Sequence, residues 1–240
     1  MIKRTFNKIL DFLFPPSCAS CSARTDVHGM LCPDCWSKFN WISDPKCARC
    51  GYPFPADLDL GAHPLCPFCA ADENELDFLR AACVYDDVSR GIMLPFKHAG
   101  KLKYQTIMSL AMINCMREFE KIDIVMPIPL SYRRLFKRGY NQAALLARPI
   151  AKHLGVPMDT SSVRRRHRPD MGHKNYKQRV DNIRGAFRVV RQDYIRGKVI
   201  LLVDDVMTTG ATFSEMHRVL KHAGAVAVYG VVFCRVVKAI

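Results

Sequence analysis

The sequence lacks an apolar run long enough to cross a membrane as a helix, which takes roughly 20 residues. Its first 16 residues resemble a secretory signal only in part, because Asp11 interrupts their apolar stretch and no small-residue cleavage site follows. The apolar residues recur at helical spacing up to Pro15-Pro16. We therefore predict an amphipathic helix at residues 1–15 and a cytoplasmic protein.

Acidic residues are scarce relative to basic ones. The chain of 240 residues has 22 Asp and Glu against 36 Lys and Arg, which gives a formal net charge of +14. Such an excess favours an anionic partner: a nucleotide, pyrophosphate, nucleic acid or an acidic membrane surface. Charge alone does not separate these partners, so the positions of the cations matter more than their number.

The pattern of a secreted disulfide protein is also missing, although the chain has 11 cysteines. Eight of them form four C-x-x-C pairs before residue 70, and three others, Cys83, Cys115 and Cys234, lie among apolar neighbours. The pairs are Cys18 with Cys21, Cys32 with Cys35, Cys47 with Cys50, and Cys66 with Cys69. With no export signal, this distribution predicts a metal framework in a reducing compartment and three reduced core thiols.

Two C-x-x-C pairs together supply the four thiolates of a closed tetrahedral zinc site. Four pairs therefore predict two structural Zn²⁺ ions in a double zinc ribbon at residues 16–72. The simplest assignment joins the first pair to the second and the third to the fourth, while a crossed pairing stays open. Because all four positions of each ion are filled by sulfur, neither site is predicted to be catalytic.

One segment combines a buried strand with a polar turn. Val199 to Val203 form an apolar run of the length of a buried parallel strand, and Asp204 and Asp205 stand at its end. A turn of small residues follows, and a helical pattern begins near Phe213. Ligands of open α/β sheets bind at the carboxyl ends of strands, and a helix N-terminus offers free N–H groups. The segment therefore predicts a phosphate site, with the two carboxylates placed to bind ribose hydroxyls beside it.

Strand and helix patterns alternate over residues 73–240, which predicts a parallel-rich α/β sheet flanked by helices. The predicted strands are residues 78–85, 124–129, 186–190, 199–203 and a final strand or hairpin at 225–237. The predicted helices are residues 88–97, 102–119, 141–154, 176–184 and 213–223.

Two basic segments complete the set of candidate anion sites. The first, residues 127–142, follows a predicted strand and contains Arg133 and Arg138. The second begins at residue 164 and has no apolar periodicity up to residue 175, which predicts a mobile basic loop. Its candidate nucleic-acid-binding residues are Arg164, Arg165, Arg166 and Arg168.

Residues 199–212 resemble the phosphoribosyl pyrophosphate (PRPP) motif of type I phosphoribosyltransferases. The resemblance implies that Asp204 and Asp205 hold the ribose hydroxyls and that the loop after them holds the 5-phosphate. The loop residues implied in PRPP binding are Met207, Thr208, Thr209, Gly210, Ala211 and Thr212. Arg133 and Arg138 are candidates for the pyrophosphate side, and Mg²⁺ is expected to bridge pyrophosphate and ribose oxygens.

Further short motifs extend the resemblance to nearly the full chain. They are Phe96-Lys97-His98, Pro127-Ile128-Pro129-Leu130, Arg138-Gly139-Tyr140-Asn141-Gln142, Arg179 with Asn182, and Gly185-Ala186-Phe187. With the cysteine pairs, they resemble the ComF family, which joins a double zinc ribbon to a type I phosphoribosyltransferase domain and is associated with natural competence. The resemblance implies this fold, PRPP as a ligand, single-stranded DNA as a partner, and contact with DNA-uptake proteins at the inner face of the membrane.

Two functions stay open from the sequence. One is a PRPP-binding protein that handles incoming single-stranded DNA. The other is an active phosphoribosyltransferase that transfers phosphoribose to an unknown amine or base, although no residue stands out as its general base. The aromatic residues of the ribbon either stack on bases or form its small core; they are Trp36, Phe39, Trp41, Tyr52 and Phe54.

Overall fold

The computed structural model describes residues 15–58, 61–71, 77–98, 100–166 and 183–237. The cysteine-rich segment contains the short helices α1 (Pro33–Trp36) and α2 (Pro67–Ala70). The elements that follow are β1 (Phe78–Val84), α3 (Asp87–His98), a 3-10 turn (Leu102–Tyr104), α4 (Gln105–Cys115), β2 (Ile124–Pro127), α5 (Tyr132–Arg138), α6 (Gln142–Leu154), β3 (Val163–Arg165), β4 (Phe187–Val189), α7 (Gln192–Ile195), β5 (Val199–Met207), α8 (Ala211–His222) and β6 (Ala227–Arg235).

The main sheet is parallel and has the strand order β1-β6-β5-β2. β5 lies inside it, and its side chains alternate between two apolar layers. Leu201 and Val203 pack into the layer that holds α4 and α6, and Ile200 and Leu202 pack into the layer that holds α8. A strand covered on both faces has to be apolar throughout, which explains the uninterrupted aliphatic run. The predicted parallel-rich α/β sheet flanked by helices is confirmed.

Several local predictions match the observed elements. The predicted helix at residues 141–154 is α6, whose Asn141 side chain accepts a hydrogen bond of 3.0 Å from the Ala143 N–H at the N-cap. It ends at Gly155, which has the left-handed φ of 68° common at helix C-termini. The predicted strand at residues 78–85 and the predicted helix at 88–97 are β1 and α3. The last strand is β6 alone, without a hairpin, among the residues described.

The prediction of an irregular loop from residue 164 was wrong at its start. Val163–Arg165 form β3, which pairs antiparallel with β4, and the register sets Arg164 opposite Arg188 and Arg165 opposite Phe187. The strand forms because its backbone finds this partner about twenty residues further along the chain, which the local run of arginines does not indicate. Residues 167–182, with Arg168 and most of the predicted helix at 176–184, lie outside the described residues, as do residues 1–14 of the predicted N-terminal helix.

The end of β5 was also predicted too early. The strand continues through both aspartates, because Asp204 pairs with Val232 and Met207 pairs with Arg235 of β6. Polar side chains do not end a strand whose backbone stays paired. The predicted helix at residues 102–119 is shorter than expected: it opens with the 3-10 turn and ends at Cys115, after which Met116 has the non-helical angles φ −104° and ψ 19°.

The cysteine-rich segment packs directly against the main sheet. Trp41 forms an antiparallel bridge with Cys83 of β1, the Ile42 N–H donates to the Ala82 carbonyl at 3.0 Å, and the Val84 N–H donates to the Asn40 carbonyl at 2.9 Å. This short stretch therefore extends the sheet beyond β1.

Most aromatic residues of the ribbon serve this packing. Trp41 stacks on Trp36 with ring centroids 4.2 Å apart and on Phe39 at 4.8 Å, and Phe39 meets Phe233 of β6 edge to face. Phe39 and Tyr52 are buried. Of the two roles that the sequence left open, the core role fits these rings.

Candidate functional site

The predicted phosphate site corresponds to the turn where β5 meets α8. The turn Thr208–Gly210 connects them, and Gly210 is the N-cap of α8 with a left-handed φ of 78°. The first helical hydrogen bond runs from the Ser214 N–H to the Gly210 carbonyl at 3.0 Å, so the N–H groups before Ser214 have no partner within the helix. The first turn of α8 has no acidic residue. The backbone N–H groups, the helix dipole and the lack of an acidic residue in the first helical turn together favour an anion at this point.

The acid pair lies just before this turn. Asp205 is buried and Asp204 is half-buried, and the Asp205 N–H donates to Asp204 Oδ1 at 2.9 Å. Burial, followed by the charge of Asp205, raises the pKa of Asp204 to about 7, while Lys97 and Arg165 act in the opposite direction. A carboxylate held at such a cost is stabilised by any cation or hydroxyl donor that reaches it.

Lys97 balances the other carboxylate. Its Nζ lies 3.1 Å from Asp205 Oδ2 and 3.3 Å from Oδ1. The side chain comes from the C-terminal end of α3, and the Lys97 carbonyl accepts a hydrogen bond of 3.1 Å from the Gln142 side chain. The motif Phe96-Lys97-His98 showed a cation at this position. It did not indicate that Lys97 pairs with Asp205, so no role was predicted for Lys97.

A chain of hydrogen bonds extends from Lys97 to the basic segment at residues 127–142. Gln142 Oε1 accepts a bond of 3.2 Å from Arg138 Nη1, and the Tyr140 hydroxyl donates to the Phe96 carbonyl at 3.0 Å. The structure therefore brings Arg138 into contact with the network that ends at Asp205. Arg133 is instead exposed on α5.

The predicted nucleic-acid-binding arginines of the segment that begins at residue 164 lie in two different environments. Arg164 and Arg166 are exposed. Arg165 is half-buried, with its guanidinium 5.3 Å from the centre of the Phe187 ring, and its charge lowers the pKa of Asp204. Alternation along β3 explains the difference, because neighbouring side chains of a strand point to opposite faces. Arg165 thus belongs with the acid pair.

The eight paired cysteines form two groups of four. Cys18, Cys21, Cys32 and Cys35 form one, and Cys47, Cys50, Cys66 and Cys69 form the other, with the sulfur atoms of each group within 4.8 Å of one another. The sequential grouping is therefore the one present, and the crossed grouping is not.

Both groups have the donor chemistry and spacing of a zinc site. Four sulfurs bound tetrahedrally at about 2.3 Å lie about 3.8 Å apart, and the sulfurs of Cys50 and Cys66 are 3.6 Å apart. The N–H groups of Cys50 and Cys66 point at the Cys47 sulfur from 3.5 and 3.3 Å, an arrangement that stabilises a thiolate. Metal bound here would hold the ribbon together, and no donor position would be left for a substrate.

Comparison with known proteins agrees with these two parts. A family model described as a double zinc ribbon domain matches residues 9–70, and one described as a phosphoribosyl transferase domain matches residues 140–238. The DNA utilization protein YhgH of Escherichia coli is 30% identical over 224 residues, which cover 91% of this chain and 89% of that protein. Competence protein ComFC of Streptococcus pneumoniae is 24% identical over 196 residues, or 81% of this chain and 83% of that protein. The chain belongs to the ComF family.

Competence protein F of Haemophilus influenzae, a further relative, is 26% identical over 202 residues, covering 81% of this chain and 85% of that protein. Membership of the ComF family means that the zinc ribbon and the phosphoribosyltransferase-like sheet occur together in one chain. Within the described ranges, no helix combines the length and the apolar character that a membrane span requires.

α5 presents a feature that sequence analysis missed in this ComF protein. Tyr132 and Phe136 are 81% and 91% exposed, the highest values among the exposed large hydrophobic side chains of the described residues. They are four residues apart and so lie on one face of the helix. Arg133 and Lys137 follow them in sequence and are exposed too. The sequence showed the cations but not the exposure of the two rings, which follows from the position of α5, a helix without a buried residue.

Proposed function

We propose that this protein binds PRPP with Mg²⁺ at the carboxyl end of β5 and acts in the handling of single-stranded DNA. The observation that carries the first part is the acid pair Asp204-Asp205 directly before the N-terminus of α8. The 5-phosphate would accept hydrogen bonds from the backbone of residues 208–212, and the carboxylates would accept hydrogen bonds from the ribose hydroxyls.

The remaining charges suit the pyrophosphate group. Arg138 joins the site through Gln142 and Lys97, and Arg165 acts on Asp204 from β3. Mg²⁺, when bound with the ligand, would supply positive charge between the pyrophosphate and ribose oxygens. Lys97 would hold the Asp205 carboxylate in place through their ion pair of 3.1 Å.

Competition between ligand fragments tests the proposal. PRPP with Mg²⁺ should bind at one site per chain, and ribose 5-phosphate should displace it with lower affinity, because it keeps the phosphate and hydroxyl contacts and lacks the pyrophosphate. Gln142→Glu should weaken PRPP more than ribose 5-phosphate, since it disturbs Arg138 and Lys97 but not the loop. Binding of PRPP that ribose 5-phosphate never displaces would contradict the site.

The DNA part rests on two observations besides the names of the relatives. The chain carries a net charge of +14, and α5 presents Tyr132 and Phe136 beside Arg133 and Lys137. Proteins that bind single strands combine stacking rings with backbone-binding cations. We call these four residues the α5 surface, and we propose that it binds single-stranded DNA, with Arg164 and Arg166 as further phosphate contacts. Arg168 stays a predicted contact.

Two matched variants separate stacking from charge. Tyr132→Leu with Phe136→Leu should weaken binding of a single strand by roughly tenfold or more, because stacking contributes about 1–3 kcal/mol per base. It should leave unchanged the slope of the logarithm of affinity against the logarithm of salt concentration. Arg133→Gln with Lys137→Gln should lower that slope by about 1.4, at about 0.7 per phosphate. Phe68→Leu, an exposed ring on α2, is the control. Equal affinity in all three variants would exclude the α5 surface.

Turnover is a separate question from binding. Release of pyrophosphate from PRPP in the presence of bases, amines or single-stranded DNA would assign an active transferase and its acceptor class. Binding of PRPP without release in any mixture would favour a ligand-sensing role.

A further inference from the structure

The side chain of Arg235 connects the end of β6 to the second cysteine group. Arg235 Nη1 donates to the Cys50 carbonyl at 2.6 Å and lies 3.5 Å from the Cys50 sulfur. Its guanidinium is 5.1 Å from the centre of the Tyr52 ring. Arg235 is only 6% exposed, and its Nε has no hydrogen-bond partner among the described residues. The other contacts of this buried guanidinium are therefore with the turn around Cys50 and with Tyr52.

The backbone at the same point of β6 contacts residues 207–212, which we call the phosphate loop. Arg235 is the register partner of Met207, the last residue of β5, and the N–H of Val236 donates to the Met207 carbonyl at 2.9 Å. Thr208 follows Met207 directly. On its other side, the Arg235 carbonyl accepts a bond of 2.7 Å from the Tyr85 N–H. The Arg235 side chain thus contacts a metal-binding cysteine, and the next residue, Val236, bonds the start of the phosphate loop.

The rest of this metal-binding turn is attached elsewhere. The Ala48 carbonyl accepts from Arg80 Nη2 at 3.2 Å, and the Arg49 carbonyl accepts from the Leu79 N–H at 2.8 Å. Both donors belong to the beginning of β1, whereas the phosphate loop lies at the carboxyl ends of the strands. Arg80 is as deeply buried as Arg235. It therefore binds the same turn without touching the phosphate loop.

We infer that Arg235 is a positioning residue that couples metal binding at Cys47, Cys50, Cys66 and Cys69 to the order of the phosphate loop. Metal bound by these four sulfurs would fix the turn at Cys50, and with it the carbonyl that accepts from Arg235 Nη1 at 2.6 Å. Without the metal this turn would be held less firmly, so the end of β6 would loosen together with Met207. The effect on PRPP affinity rests on the proposed function, but the effect on the loop does not.

Coupling of this kind is reciprocal. If the metal orders the loop and so favours PRPP, PRPP must raise the affinity of the second site for its metal by the same factor. The first group, Cys18 to Cys35, has no such contact with β6 among the described residues, so PRPP should leave its metal unaffected.

Hydrogen exchange at the junction of β5 and β6 in Arg235→Gln is the test. The Val236 amide, which donates to the Met207 carbonyl, should exchange about tenfold faster than in the native protein, because a supporting contact is lost. Arg80→Gln should leave this amide unchanged, and Arg235→Lys should restore part of the protection. Metal analysis of each variant shows whether the second site is still filled.

The outcomes separate the inference from the proposed function. Unchanged exchange of the Val236 amide in a folded Arg235→Gln protein overturns the coupling, and so does an equal increase in Arg80→Gln. Faster exchange in Arg235→Gln alone supports it even if the native protein fails to bind PRPP, which would refute only the proposed function. If PRPP binds, it should shift the equilibrium of metal exchange with a chelator toward the metal-bound native protein and not do so in Arg235→Gln.

Discussion

Lys97 Nζ lies 3.1 Å from Asp205 Oδ2, so an ion pair joins the end of α3 to the inner strand β5 just before the turn at residues 208–210. Asp205 is almost fully buried, whereas the Lys97 side chain keeps 22% of its surface exposed. The pair therefore contributes to the fold and also sets the charge of the site.

Replacing Lys97 by Met should destabilise the protein, because it leaves the Asp205 carboxylate buried without a cation. We expect a loss of about 2–3 kcal/mol, less than the ~3–5 kcal/mol for a fully buried pair since Lys97 touches water. Lys121→Met breaks the pair with Asp123, in which the lysine side chain is 80% exposed, and should cost much less. Urea denaturation measures both, and equal losses would contradict the assigned role of Lys97.

The raised pKa of Asp204 predicts a pH dependence of stability. The unfolded carboxyl titrates near pH 4, and the folded one keeps its proton up to about pH 7. Between these values the folded state holds more protons, so this group lowers the free energy of unfolding as pH rises from about 4 to 7. Asp204→Asn should remove that decline. Its free energy of unfolding, compared with that of the native protein, should therefore be more favourable at pH 8 than at pH 5.5. Exposed Asp193→Asn should not, and parallel curves for native protein and Asp204→Asn would exclude the shift.

Gly210 combines a left-handed backbone with a position in the candidate site. Gly210→Ala should cost about 1–2 kcal/mol from the strained φ and should also weaken ligand binding by displacing the loop. Gly155 has a similar φ of 68° at the end of α6, with open space around it. Gly155→Ala should show the same loss of stability with PRPP affinity unchanged. If the two variants bind PRPP equally well, the loop at Gly210 is not the phosphate site.

The grouping of the cysteines predicts two Zn²⁺ ions that are lost independently. Cys21→Ser should retain only the second ion and Cys69→Ser only the first, as measured by metal analysis under reducing conditions. Because Cys21 is exposed and all four cysteines of the second group are buried, a chelator should remove the first ion sooner in the native protein. Loss of both ions in each single variant would point to one interdependent site.

Local signals predicted much of the fold. Short stretches of sequence were enough to predict the capped helix that ends at Gly155, the aliphatic strand before Asp204 and the metal-binding cysteine pairs. They were not enough to predict which cysteine pairs share a metal, since both groupings fit the same spacing. It is decided by how the ribbon folds back on itself.

The parts that sequence reasoning missed are contacts between distant residues. Lys97 and Asp205 are 108 positions apart, and Arg235 and Cys50 are 185 apart. Neither contact leaves a periodic pattern. Arg165 shows the opposite problem: its neighbours suggested a basic loop, but pairing of β3 with β4 turns it away from Arg164 and Arg166.

Calorimetric titration with PRPP and Mg²⁺ tests the assignment of the phosphoribosyl site most directly. The native protein should bind one PRPP per chain, and Asp204→Asn with Asp205→Asn should weaken binding by about 100-fold or more, since two charged hydrogen-bond acceptors are lost. Asp57→Asn with Asp193→Asn changes the net charge equally at exposed positions and should bind as the native protein does. Equal affinity in both double variants, with both folded, would contradict the site.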